Sequence, residues 1–142
     1  MCIRDSYYAD YLHQVSYVGH KNGIKSELTV SENLNVAKEL LKSHNGFSPE
    51  KAMHRFGLKG YEDTLAGKLS SGQRRRVALS RLLFSNARLW VLDEPFTSID
   101  EEGKQLIKQV IEAHLESGGM VIVATHEPIK ITNFKLNVLL LK

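Results

Sequence analysis

Two adjacent acids follow a short apolar run in the second half of the chain. Residues 89–92 read LWVL, and Asp93, Glu94 and Pro95 come directly after them. Ligands bind at the carboxyl ends of strands in an open parallel sheet, and acids buried there are costly unless a cation or substrate uses them. Asp93 is therefore a candidate to hold phosphate-bound magnesium, directly or through water, and Glu94 to accept a proton from an attacking water. A solvated turn that begins with two acids is the alternative.

A histidine follows a second apolar run. Residues 120–124 read MVIVA, and Thr125 and His126 come next. Because neighbouring parallel strands end at the same edge of a sheet, His126 is expected beside Glu94, where it could orient the water or contact a γ-phosphate. A histidine that only caps a strand end is the alternative. The distance from Asp93 along the chain, with a helical pattern between, favours the functional interpretation.

A short polar loop stands before another helical pattern. Ser70, Ser71, Gly72 and Gln73 precede a run of apolar residues at helical spacing that extends to Leu83. Serine hydroxyls, a glycine that permits close backbone approach and the free N–H groups of a helix start together form an anion site suited to phosphate. The alternative is an ordinary helix N-cap, which is a commoner use of serine.

Three consecutive arginines follow that loop. Arg74, Arg75 and Arg76 point in different directions on a helix, and no aromatic residues interleave them. We therefore expect a solvated, partly paired helix surface and no direct contact with nucleic acid. Binding of nucleic acid through these arginines is a rival interpretation, and it predicts a steep dependence on salt. The net charge of +3 and the pI near 9.0 are only mildly basic.

The composition indicates one globular domain. The chain has 142 residues, of which 42% are hydrophobic, enough to bury roughly two-thirds of the unfolded surface. It has no run approaching the ~20 apolar residues that span a bilayer and no signal-peptide pattern. The single cysteine, Cys2, excludes an internal disulfide framework and a cysteine-rich metal site. A cytosolic chain that meets membranes only through partners is expected.

The first half of the chain reads as short helical pieces. A capping-box pattern at Thr29 and Glu32 predicts a helix that carries Leu34 and later apolar residues. A second helix is predicted to begin at Ser48, with proline in its first turn, and to stop at Gly57. These pieces form a small helical unit.

The second half predicts a strand, a helix and a strand. The apolar runs at 89–92 and 120–124 are typical of parallel strands buried on both faces, and residues 101–117 read as an amphipathic helix between them. Asp100 can cap the start of that helix, and two glycines can end it. Residues 134–141 can add a last strand. The fold class is α/β, with a parallel sheet core and a helical subdomain.

Four segments together resemble the ABC ATPase family. LSSGQRRR, LWVLDEP, SID and VIVATH occur in the order and spacing of that family's signature loop, Walker B strand, D-loop and switch histidine. The resemblance implies a P-loop NTPase-like ABC nucleotide-binding domain that uses ATP and magnesium. It places Asp100 in the D-loop and Ser70 to Gln73 against the γ-phosphate of ATP held by a second copy, in a head-to-tail dimer.

Within that family the chain resembles the ATP-binding subunit of the bacterial cytochrome c maturation transporter, a haem exporter. YVGHKNGIKSELTVSENL at residues 17–34 carries much of this likeness. His20 stands where most relatives have the Q-loop glutamine, and Ser71 where many have glycine. The resemblance implies a nucleotide-site role for His20, transmembrane subunits as partners and a place at the cytoplasmic face of the inner membrane. Another ABC exporter and a non-catalytic interaction module are the rival interpretations.

The phosphate-gripping pattern G-x-x-x-x-G-K-[ST] does not occur in the chain. We therefore expect the native gene to continue upstream, and the 142 residues alone to be inactive. The expected division is a helical subdomain at about 25–70, with the signature loop at its end, and a Walker B, D-loop and switch-histidine core at about 71–142. Residues 1–6 resemble a translated transposase end sequence and are expected to be non-native, Cys2 included.

Overall fold

Three short parallel strands end at one edge of the molecule. The computed structural model describes residues 13–42, 45–132, 134, 135 and 137. β1 (Val15–Val18), β2 (Leu89–Asp93) and β3 (Met120–Ala124) form a parallel sheet in the order β1-β2-β3. The register pairs Val18 with Leu92 and Asp93 with Ala124. The segments that leave the carboxyl ends of β2 and β3 therefore start side by side.

Strand β1 corrects the reading of the first half as helical pieces alone. It has only four residues, VSYV, of which Val18 is buried and Tyr17 is 65% exposed. So short a run shows too little alternation to be separated from a helix by its pattern. Its parallel pairing with β2 identifies it as a strand. The expectation that residues 1–6 are non-native concerns residues outside the described part of the chain.

The predicted starts of the first two helices are confirmed. α1 (Val30–Leu40) begins with a capping box, in which the Glu32 N–H donates to Thr29 Oγ1 at 3.2 Å and the Thr29 N–H donates to Glu32 Oε2 at 2.7 Å. α2 (Pro49–Arg55) is capped by Ser48, whose hydroxyl accepts from the Lys51 N–H at 3.3 Å. Both caps satisfy N–H groups that a helix start otherwise leaves without partners.

Two further helices border the predicted site. α3 (Ser71–Ser80) runs into a 3-10 turn (Arg81–Phe84), so the helix predicted to extend to Leu83 tightens in its last turn. α4 (Glu101–Glu116) connects β2 to β3 and is capped by Asp100, as predicted. No helix in the described ranges has the length and apolar character to span a bilayer.

The two faces of the sheet differ in burial. Val18, Trp90 and Leu92 lie on one face, within the single core that the helices cover. On the opposite face Met120 is 51% exposed and Ile122 is 57% exposed. The prediction of strands buried on both faces is therefore wrong for this sheet, because the described helices cover one side only. Of the predicted last strand at 134–141, the described residues Phe134, Lys135 and Asn137 are not in a strand, and the others lie outside the described residues.

His114 joins the end of α4 to the middle of the sheet. Its ring stacks on Trp90, with centroids 3.7 Å apart and planes 8° from parallel, and its Nε2 lies 3.1 Å from the Arg88 carbonyl. Burial lowers the pKa of His114, against the smaller opposing effect of nearby backbone groups. The folded protein therefore favours the neutral imidazole.

This predicts a histidine-dependent loss of stability in mild acid. The unfolded chain takes up a proton near the ordinary histidine pKa of about 6.5, which the folded chain resists, so the free energy of unfolding falls as the pH drops below that value. His114→Gln should reduce this fall, as measured by urea denaturation at several pH values. His54→Gln, at an exposed histidine of α2, is the matched control. An unchanged pH dependence in His114→Gln would contradict the assignment.

Candidate active site

The carboxyl edge of β2 and β3 brings the predicted acids and histidine together. Asp93 is the last residue of β2 and pairs with Ala124, the last residue of β3. The Glu94 N–H continues this pairing by donating to the Ala124 carbonyl at 2.8 Å. Two residues beyond Ala124, His126 Nε2 lies 3.1 Å from Glu94 Oε1. The sheet register thus determines which side chains meet.

Glu94 is held in an unusual backbone conformation. Its φ is +49°, a left-handed value that costs a non-glycine residue about 1–3 kcal/mol and persists only where the surroundings enforce it. Its side chain is 17% exposed, whereas that of His126 is 95% exposed. The Thr97 hydroxyl donates to Glu94 Oε2 at 3.4 Å. The carboxylate is therefore anchored by the protein on one side and open to an incoming group on the side of His126.

Asp93 fits magnesium only as part of a magnesium–phosphate complex. The described residues contain no group of three or more His, Cys, Asp or Glu side chains that could hold a metal ion. Mg²⁺ commonly uses one or two carboxylates, with phosphate oxygens and water as its other ligands. The half-buried Asp93, at the strand end beside Glu94, supplies such a carboxylate.

The signature loop forms the start of α3. Ser70 is the N-cap: its hydroxyl accepts from the Gln73 N–H at 3.1 Å, and Gln73 Oε1 accepts from the Ser70 N–H at 2.9 Å. The N–H groups of Ser71 and Gly72 have no partner among the described residues. The ordinary N-cap and the anion site considered for this loop are thus compatible, because two donors remain after capping.

A cleft of about 210 Å³ lies between the signature loop and the D-loop. Its lining consists of Ser70, Gly72, Gln73, Arg76, Ser98, Ile99 and Asp100. A Cβ on Gly72 would clash with the Ser98 carbonyl, so only glycine permits this approach of the two loops. Asp100 lines the cleft and also caps α4, since its Oδ1 accepts from the Gly103 N–H at 2.9 Å.

The predicted site residues fall into two separate places. Asp93, Glu94 and His126 do not line the cleft that contains the signature loop. His20 belongs to neither group: it is exposed in the loop after β1 and makes no hydrogen bond or ion pair with a described residue. Within one copy of the chain, the residues at the strand ends and those at the helix start therefore do not form one continuous site.

Arg75 is the functional candidate that the sequence reasoning missed. The expectation that all three arginines lie on a solvated helix surface is wrong for Arg75, which is 4% exposed. Its guanidinium donates to the backbone carbonyls of Asp93 and Glu94 and to the Gly19 carbonyl. The signal was helical spacing, because Arg75 lies three, four and seven residues before the buried positions 78, 79 and 82.

A comparison with protein families agrees with these arrangements. A family model described as "ABC transporter" matches residues 3–97, more than half of the chain. The chain belongs to the ABC transporter family. The segment from Leu69 to Gln73 and the end of β2 both lie within the part of the chain that this family model matches.

Curated relatives point to one branch of the family. The chain is 41% identical over 128 residues to the cytochrome c biogenesis ATP-binding export protein CcmA of Sodalis glossinidius, covering 90% of this chain and 61% of that protein. It is 44% identical over 122 residues to CcmA of Shewanella frigidimarina, covering 86% and 56%. The chain thus spans about three-fifths of the length of these relatives.

Solved structures show the same fold. The dimeric ATP-binding cassette MJ0796, in a post-hydrolysis state bound to ADP and Pi, superposes with a TM-score of 0.72 at 22% identity, covering 87% of this chain and 57% of that chain. A putative ATP-binding protein of an ABC transporter from Pyrococcus furiosus superposes with a TM-score of 0.71 at 25% identity, covering 85% and 60%. The α/β fold of an ABC nucleotide-binding domain is therefore confirmed.

The contact between Gly72 and Ser98 gives a direct test of the cleft. Gly72→Ala should lower the free energy of unfolding by about 1–3 kcal/mol, as overpacking does, although alanine is the better helix former. It should also shift the amide NMR signals of Ser98 and Asp100. Ser71→Ala, at an exposed neighbouring position, should change stability by no more than about 0.5 kcal/mol. Equal stability and unshifted D-loop signals in Gly72→Ala would contradict the described contact.

Proposed function

We propose that this chain supplies the catalytic carboxylates of an ATP-hydrolysing ABC transporter subunit. The observation that carries the proposal is the 3.1 Å contact between Glu94 and His126 at the carboxyl ends of two paired strands, directly after Asp93. This is the edge at which open parallel sheets bind ligands. Phosphoryl transfer to water needs a metal-binding carboxylate and a group that positions the water there.

The three side chains have separate roles in this proposal. Asp93 holds magnesium, which supplies charge neutralisation at the phosphates when bound. Glu94 accepts the proton of the attacking water, for which a carboxylate with one protein-anchored oxygen and one open side is suited. His126, exposed and in contact with Glu94, orients the water or contacts the γ-phosphate. Positioning of these groups accounts for most of the catalysis.

In this proposal, the cleft between the signature loop and the D-loop serves a second copy of the subunit. The free N–H groups of Ser71 and Gly72 suit a phosphate, yet they lie in a different place from Glu94 and His126. A head-to-tail dimer resolves this separation, because each cleft then meets the ATP held by the other copy. Asp100, on the opposite wall of the cleft, takes part in the same contact. The solved ATP-binding cassette with ADP and Pi is described as dimeric.

Cytochrome c biogenesis is the process that we propose for the assembled transporter. The relatives at 41–45% identity are named as ATP-binding export proteins of that process. Transmembrane subunits of the cytochrome c maturation system are the proposed partners, with haem export or haem handling as the task. The subunit would act at the cytoplasmic face of the bacterial inner membrane. The exposed loop that carries His20 is the proposed sensor of nucleotide.

A chimera permits a test of the catalytic roles. No G-x-x-x-x-G-K-[ST] pattern occurs in the 142 residues, and phosphate positioning supplies much of this chemistry. We therefore expect no ATP turnover from the chain alone. Turnover is expected once the part of the Sodalis glossinidius relative that precedes the matched segment is joined in front of the chain. Turnover by the chain alone, abolished in Glu94→Gln, would contradict this expectation.

Substitutions of the two neighbouring acids should have different effects in the chimera. Glu94→Gln keeps ATP binding but should lower turnover by about 100- to 10,000-fold, because the proton acceptor is lost. It should accumulate as an ATP-bound dimer in size-exclusion chromatography with magnesium and ATP. Asp93→Asn should bind nucleotide with a weaker magnesium dependence and form little dimer.

An exposed glutamate provides the matched control. Glu102→Gln, in the first turn of α4, should hydrolyse ATP at the rate of the unmodified chimera. Unmodified turnover in Glu94→Gln would refute the assignment of the proton acceptor.

A further inference from the structure

Arg75 lies at the junction of the segments that surround Glu94. Its Nη1 donates to the Gly19 carbonyl at 2.6 Å and to Asn22 Oδ1 at 3.1 Å, both in the loop after β1. Its Nη2 donates to the carbonyls of Asp93 and Glu94, the latter at 3.2 Å. One side chain of α3 therefore connects the loop that carries His20 with the backbone of both catalytic acids.

The guanidinium is a fixed element of this junction. Arg75 is 4% exposed, and the bonds from its two Nη atoms compensate the burial of the charge, while its Nε has no partner among the described residues. Burial lowers the pKa of Arg75, and the charges of Asp93 and Glu94 act in the opposite direction. The planar fork of an arginine reaches two acceptors on each side, which the single ammonium of a lysine does not. The guanidinium thus connects the acceptors in the loop after β1 with the carbonyls of Asp93 and Glu94.

The backbone of Glu94 requires such support. Its positive φ is unfavourable for a glutamate, and hydrogen bonds on both sides hold the residue in place. The N–H donates to the Ala124 carbonyl of β3, and the carbonyl accepts from Arg75 at 3.2 Å and from the Thr97 N–H at 3.3 Å. If the bond from the charged Arg75 is lost, only the turn bond from Thr97 holds this carbonyl, and Glu94 can relax towards an ordinary conformation, which would turn its carboxylate away from His126.

We propose that Arg75 is a positioning residue for Glu94. It holds the backbone of Asp93 and Glu94 in the conformation that presents the Glu94 carboxylate to His126, and it couples that conformation to the loop at residues 19–23. The inference rests on the proposed function, because it assigns Arg75 to the same two acids.

Arg81 provides a matched control because it contacts the same loop. Its guanidinium donates to the carbonyls of Asn22 at 2.7 Å and Gly23 at 3.0 Å, so it anchors the same loop. It makes no hydrogen bond to Asp93 or Glu94 among the described contacts. Burial lowers the pKa of Arg81 as it does that of Arg75. A variant at this position removes a half-buried arginine without removing the link to the acids.

The first test uses the 142-residue chain itself and no nucleotide. Native-state hydrogen exchange by NMR compares the Glu94 amide with the Leu92 amide of the same strand. Arg75→Met should raise exchange at Glu94 relative to Leu92 by about ten- to hundredfold, as expected for loss of a hydrogen bond from a charged group. Arg81→Met should leave this ratio unchanged, even if the whole fold is less stable.

The second test uses the chimera with the Sodalis glossinidius segment. Arg75→Met should lower kcat by about 100-fold, the effect of a small misplacement of a catalytic group. KM for ATP should stay within about twofold, because ground-state binding is retained. Arg75→Lys should recover part of kcat, and Arg81→Met should keep it.

The outcomes separate this inference from the proposed function. An unchanged exchange ratio in Arg75→Met overturns the positioning role, whatever the turnover of the chimera. A changed ratio with no turnover in the unmodified chimera leaves the positioning role standing and counts against the proposed function. If Arg75→Met does not fold, Asn22→Ala and Arg75→Lys decide: each should raise exchange at Glu94, and unchanged exchange in both overturns the inference.

Discussion

The parallel pairing of β2 with β3 is the constraint on which the site depends. It carries one further hydrogen bond past the end of β2, from the Glu94 N–H to the Ala124 carbonyl at 2.8 Å. Because this bond anchors Glu94 at the end of the neighbouring strand, the next residues of β3 bring His126 to its carboxylate. A shift of one strand by one residue in this register would move that strand's side chains to the opposite face of the sheet. The packing of Trp90 and Leu92 in the core resists such a shift.

The energies of the interactions at the end of β2 explain why the charged side chain of Arg75 is buried there. The left-handed conformation of Glu94 costs about 1–3 kcal/mol, and burial of the Arg75 guanidinium adds a desolvation cost. Hydrogen bonds to a charged group contribute about 1.5–3 kcal/mol each, and Arg75 donates four of them. The strain at Glu94 is therefore similar in size to one of these bonds, and the other bonds offset the desolvation of the guanidinium. This balance allows the acid to hold an unfavourable conformation in a stable fold.

Hydrogen bonds between residues close in the sequence could be predicted from it, whereas contacts between distant residues could not. The caps at Thr29, Ser48 and Asp100 follow from side chains that bond within three residues, so their patterns identify the helix starts. The partners of Arg75 lie 18 to 56 residues away, and no local rule specifies them. The same limit applies to the short strand β1, whose pairing with β2 depends on residues 74 positions along the chain, as in Val15 with Leu89.

The central claim is that the edge formed by Asp93, Glu94 and His126 receives the magnesium complex of ATP. A crystal structure of the chimera with magnesium and a non-hydrolysable ATP analogue tests it most directly. The account predicts the metal on Asp93, directly or through one water, a water between the Glu94 carboxylate and the γ-phosphate, and Arg75 still bound to the carbonyls of both acids. A nucleotide bound elsewhere, or a Glu94 carboxylate turned away from the γ-phosphate, would contradict it.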